Sequence, residues 1–193
     1  MKAHSVTMSQ QAKSPHIRSY SGNLRDYNGV DNWSAQEVRK RYTRYCDLQH
    51  VREPLVLMPV QHQEGDVIWI YPIMWEVIRG IQAGDQACMA IGVEFVEEDE
   101  LFVFGRLLKA NTARALRRAQ LPEDLKARLR QRIVSMLLTG MVPREVREYW
   151  KLLRDIGVGA DWPRLEANVP RDNPFAMRFY NRLRSAEGLP MEN

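Results

Sequence analysis

The chain has 193 residues, enough for one domain, and folding at that length buries roughly 70% of the unfolded surface without help from a disulfide or metal. A composition of 45% hydrophobic and 27% charged residues excludes general disorder, and a net charge of +4 is too small to specify a partner by itself. The two cysteines, Cys46 and Cys88, are too few for a disulfide scaffold and lack metal-site or redox spacing, so a reducing, cytoplasmic location is expected.

Residues 1–32 read as an irregular lead-in rich in Ser, Asn, Gly and Gln, with no apolar stretch of the kind a signal peptide carries. A helical domain is expected over 33–157. Its first helix starts at Ser34, where Ser34-Ala35-Gln36-Glu37 fits a capping box and Trp33 with Val38 fits a hydrophobic staple. Val38, Tyr42, Tyr45 and Cys46 recur at helical spacing, and Arg52-Glu53-Pro54 ends the element.

Between Leu55 and Tyr71 the pattern stays open. Leu55–Val60 and Val67–Tyr71 fit two short strands joined by QHQEGD, while Pro72 fits the start of a helix running to Ile81. The longest apolar run, Val67–Trp75, would extend roughly 14 Å as a helix, about half a bilayer core, so no membrane span is expected.

Four more helices follow. Asp85 caps one that runs through Glu98 and buries Cys88, Ile91 and Phe95. The next spans Glu100 to Ala119 and buries Leu101, Phe104, Leu108, Ala115 and Leu116. Pro122 opens a third, with Leu125, Leu129, Ile133, Met136 and Leu137 on one side and Gly140 as its stop. Pro143 opens a fourth, which buries Val146, Trp150 and Leu153 and stops at Gly157. Residues 158–193 read as a C-terminal extension. It is irregular to Asp172 and then forms a short helix capped by Asn173, with Phe175, Phe179 and Leu183 four residues apart.

The expected fold class is therefore mainly α: a compact helical bundle or a short HEAT-like α-solenoid of antiparallel helices, with a small β-hairpin near 55–71. The HEAT likeness is architectural. Short-turned helix pairs resemble HEAT hairpins, but no repeat signature accompanies them.

Charge is segregated along the chain. Residues 84–100 hold six acidic residues and no basic ones, whereas 101–154 hold thirteen basic and four acidic. An arginine-rich helical face can grip phosphates or meet an acidic protein surface. Arg106, Lys109, Arg114, Arg117, Arg118, Arg128 and Arg132 are the candidate partner-binding residues. The competing reading is that these are solvated helix faces, or that the acidic segment folds back and neutralises them.

The leading function is a non-catalytic interaction module with an acidic protein partner, and the alternative is a nucleic-acid-binding or regulatory protein using the same stripe. RKRYTRY (Arg39–Tyr45) mixes cations with aromatics, but Tyr42 and Tyr45 lie on the apolar side of their helix. A helix-turn-helix around GMVP is a further option. No catalytic, cofactor or metal residue is assigned. Cys46 and His50 stand four apart without a third group, and Glu94, Glu97 and Glu98 lack the Glu-x-x-His partners of a helical di-metal site. Neither a phosphate-binding glycine loop nor a nucleophile elbow occurs. An enzyme whose site assembles from scattered residues is the third reading.

Overall fold

The computed structural model describes residues 23–98, 104–140 and 146–190, apart from the side chain of Val146. Among them are three short strands: β1 (Leu24–Asp26), β2 (Gln61–Glu64) and β3 (Val67–Ile70). β3 lies between the others, parallel to β1 and antiparallel to β2. The hairpin near 55–71 is present, but its first strand is QHQE, joined to β3 through Gly65-Asp66. Residues 55–60 form no strand, and Leu57 is the one apolar side chain among them that is fully buried. β1 falls in the segment that reads as irregular, because three residues are too few to display an alternating pattern.

Helix α1 (Ala35–Gln49) begins as the cap predicts, with Ser34 Oγ accepting from the Glu37 amide at 3.4 Å. The reciprocal half of the box is replaced. The Ser34 amide donates to the Asp31 carbonyl, and the Glu37 carboxylate pairs with Lys40 at 2.6 Å. Behind β1, the buried Asn28 side chain accepts from the Ile73 amide at 2.7 Å and donates to Asp26 at 2.8 Å, tying the sheet to the next helix.

That helix, α2 (Met74–Ala83), follows Pro72 and ends at Gly84, whose φ of +88° costs a residue without Cβ nothing. Asp85 then starts α3 (Gln86–Glu98): its Oδ1 accepts from the Cys88 amide at 2.7 Å, and its Oδ2 accepts from the Tyr42 hydroxyl at 2.9 Å. α2 and α3 approach so closely that a Cβ on Gly80 would collide with Cys88 Sγ.

α3 packs against α1, α2, α4 (Gly105–Arg118) and α5 (Glu123–Leu138). It is buried on nearly every side from Ala87 to Val96, as a central helix must be. A solenoid, in which each repeat meets only its neighbours, has no such element, so the architecture is a bundle built around α3. Helices α6 (Val146–Ile156), α7 (Trp162–Asn168) and α8 (Pro174–Ala186) complete it: α6 lies on α4 and α5, α7 on α5, and α8 on α6. One core runs from Trp33 to Leu183.

Three expectations need correction. Phe104 is 44% exposed, because it caps α4 in a left-handed conformation instead of facing the core, and it meets the Tyr27 ring edge-on. Residues 162–168, which read as irregular, form α7 with Pro163 in its first turn, where a missing amide costs nothing. On α8 the fully buried face is Ala176, Tyr180 and Leu183, leaving Phe175 62% exposed. Glu100, Leu101 and Pro143, which also carried helix expectations, lie outside the described residues.

Candidate functional site

The seven basic residues singled out on α4 and α5 do not form one surface. Lys109 is corrected outright. At 1% exposure it is core, because α4 buries the face carrying Leu108, Thr112 and Leu116 and the lysine stem lies along it. Arg114 and Arg117 turn to α6, reaching Glu148 at 3.3 and 4.0 Å, and Arg117 also reaches Asp155 at 3.5 Å. Arg128 makes a two-pronged pair with Glu97, and Arg132 donates to the Val96 carbonyl at 3.4 Å. Arg106 and Arg118 are exposed without an ion pair among the described residues, but twelve positions along one helix separates them by about 18 Å.

The acidic stretch is likewise engaged. Glu94 pairs with Arg41 at 2.7 Å and Arg44 at 2.9 Å and accepts from the Tyr45 hydroxyl, while Glu98 pairs with Arg41 at 2.8 Å and accepts from the Trp33 indole at 2.9 Å. Burial opposes charge on Arg41, yet Glu98 and Glu94 outweigh it and hold the guanidinium more firmly protonated. The acidic end of α3 thus binds α1 and α5, and its carboxylates are committed to arginines. Among the described residues no group of three or more His, Cys, Asp or Glu is placed to hold a metal ion.

Basic side chains also gather between α6 and α8. A cleft of about 410 Å³ is lined by Arg147, Lys151 and Arg154 from α6 and by Arg182 from α8. The three α6 cations stand at i, i+4 and i+7, on one face of that helix. The floor is apolar: Trp150 stacks on Phe179 with centroids 4.6 Å apart and planes 16° apart, beside Leu183 and Ala186. Arg182 lies over the Phe179 ring, its Cζ 5.9 Å from the centroid.

Among the described residues no carboxylate lines this cleft. The nearest acids, Glu148 and Asp155, pair with two of the lining cations, Lys151 and Arg154. Glu148 accepts from Lys151 at 3.0 Å but also holds Arg114, and Asp155 is shared between Arg154 and Arg117. Burial would raise the Glu148 carboxyl, but Lys151 and Arg114 overcome that and hold it below its ordinary range. Arg147 and Arg182 have no carboxylate partner among the described residues. Trp150 is only 5% exposed, and its indole N–H is buried without an acceptor among them.

Arg147, Lys151 and Arg154 belong to the basic stretch, and their spacing was a usable signal. Arg182 was not accessible that way, since only the α6–α8 packing brings it to them.

The other candidates lose their geometry. Burial pushes both the Cys46 and Cys88 thiols upward, the reverse of nucleophile activation, and His50 is an exposed left-handed cap at the end of α1. In the helix-turn-helix reading the turn residues 141–145 lie outside the described residues, and α6 buries Tyr149, Trp150, Leu152 and Leu153 against its neighbours. No helix among the described residues is long and apolar enough to cross a membrane. Comparison of the chain with protein-family models, with curated proteins and with solved structures finds no match.

Proposed function

We propose that the protein is a non-catalytic interaction module that takes an acidic partner protein onto the α6–α8 cleft. The observation that carries this reading is the lining itself: four cations over an apolar floor, of which Arg147 and Arg182 have no carboxylate partner among the described residues. A surface of this kind attracts negative charge over a distance and then holds it through desolvated contact. The α4–α5 stripe supports the module from within, since its arginines brace α3 and α6. Two buried free thiols fit a reducing, cytoplasmic setting.

A nucleic-acid reading has less support. Single-strand binders offer open aromatic faces to bases. Here Trp150 is stacked on Phe179 and only 5% exposed, and Arg182 lies over the Phe179 ring.

The test is a titration of the protein with fluorescent poly-L-glutamate and, separately, with a random single-stranded oligonucleotide at near-physiological salt. Saturable binding to polyglutamate that is weakened by Arg147→Glu supports the reading. Binding to the oligonucleotide alone, or to neither, overturns it.

A further inference from the structure

We infer that the α6–α8 cleft accepts a short acidic peptide segment bearing one aliphatic anchor, with the anchor on the Trp150–Phe179–Leu183 floor and carboxylates flanking it on Arg147 and Arg182. This rests on the cleft being the docking face and adds what occupies it.

The first argument is the contrast between floor and rim. A site for charge alone needs only cations at the surface. This cleft sets cations around an apolar floor in which Trp150 and Leu183 are buried while Phe179 and Ala186 stay accessible, so an occupant without apolar atoms would leave Phe179 and Ala186 wet. At about 410 Å³ the space lies toward the low end of ligand clefts, roughly 300–1,000 Å³, and suits one or two side chains better than a folded surface.

The second argument concerns the anchor's type. The Phe179 ring is already engaged, stacked on Trp150 and with the Arg182 guanidinium 5.9 Å from its centroid. A flat ring entering the cleft would find ring edges and aliphatic groups, against which an aliphatic side chain packs as well and a base packs poorly.

The third argument is the Trp150 indole N–H. It is buried and has no acceptor among the described residues, although buried indole donors ordinarily find one. The N–H is closed to solvent in the free protein, so a peptide backbone carbonyl reaches it only where binding shifts the Trp150 ring, and the indole resonance reports that shift.

The experiment uses the full chain and four nine-residue probes: an Asp/Glu peptide with a central Leu, the same peptide with Ala in its place, a Ser/Gly peptide with the central Leu, and a nine-nucleotide single strand. The indole resonance of Trp150, assigned through Trp150→Phe, is followed by NMR beside affinity. The expected result is that the acidic Leu peptide binds roughly ten-fold or more tighter than the Ala peptide and moves the Trp150 indole signal, while the neutral peptide binds weakly. Arg147→Glu and Arg182→Glu, at exposed positions without carboxylate partners, should each weaken that binding with little change in melting temperature. Equal affinity for the Leu and Ala peptides overturns the anchored segment while leaving the acidic-partner reading standing. Tightest binding to the oligonucleotide, or to none of the probes, overturns both.

Discussion

Arg128 of α5 grips Glu97 of α3 with two guanidinium nitrogens, one contact at 2.9 Å, and so joins the basic stretch of the chain to its acidic one. Glu97 raises the protonation preference of Arg128 against the opposing effect of burial. The pair is a bracket between helices and leaves Arg128 little freedom to meet a partner. Arg128→Ala should lower stability by about 1 kcal/mol, a modest value because both side chains are about one-third exposed, and should leave cleft binding unchanged. Chemical denaturation beside a polyglutamate titration checks both halves. A loss of binding without a loss of stability would return Arg128 to the partner surface.

Arg117 and Arg118 are adjacent in sequence and opposite in role. Arg117 lies between Glu148 and Asp155, whereas Arg118 is exposed without an ion pair among the described residues. Arg117→Glu should therefore destabilise the fold by about 1–2 kcal/mol through like-charge contact. Arg118→Glu should stay within about 0.5 kcal/mol of the parent. Paired thermal melts of the two single variants separate these outcomes.

Trp150 fills core and forms the floor of the cleft at once. Trp150→Ala should cost about 3–5 kcal/mol. Trp150→Phe, which keeps a ring against Phe179, should cost much less. Urea midpoints for the two variants test whether stacking on Phe179 is what holds α8 to α6.

Glu148 gives stability a pH dependence. Its folded carboxyl is held below the ordinary value, so its contribution is fully present above about pH 4.3, the unfolded value, and is lost as pH falls through the lower folded one. Glu148→Gln should cost about 1–3 kcal/mol at neutral pH, since it removes charge-assisted contacts to Lys151 and Arg114. It should also flatten the decline in stability below pH 4.3. An unchanged acid limb in the variant would mean that other carboxylates govern it.

The two thiols should be silent in the folded protein. Both are buried and pushed toward the neutral form, so Ellman's reagent should label neither at pH 8 until denaturant is added, when both react. Fast labelling of Cys46 in native conditions would revive its pairing with His50.

Local rules made the helices legible. Ser34, Asp85 and Asn173 each accept the amide their position predicts, and Gly84 ends α2 where the pattern stops. Lys109 and Phe104 were misread because periodicity assigns a face by residue type. Burial depends on which neighbour covers that face, and here the lysine is covered and the phenylalanine is not. On α8 the cap was legible but the buried face was not. Phe175, Phe179 and Leu183 share a spacing with the polar wheel, and only packing against α6 selects Ala176, Tyr180 and Leu183. The cleft itself is a tertiary object. Arg147 and Arg182 are 35 positions apart, and no local rule relates them.

The contact of Gly80 with Cys88 bears on how this sequence can change over time. Gly80 interrupts α2 with the weakest ordinary helix former, a disadvantage of about 1 kcal/mol against Ala, yet a methyl there would run into the thiol across the interface. The two positions therefore share one fixed allotment of volume. Growth at 80 requires shrinkage at 88, and drift at either is tied to the other even though eight positions separate them in the chain.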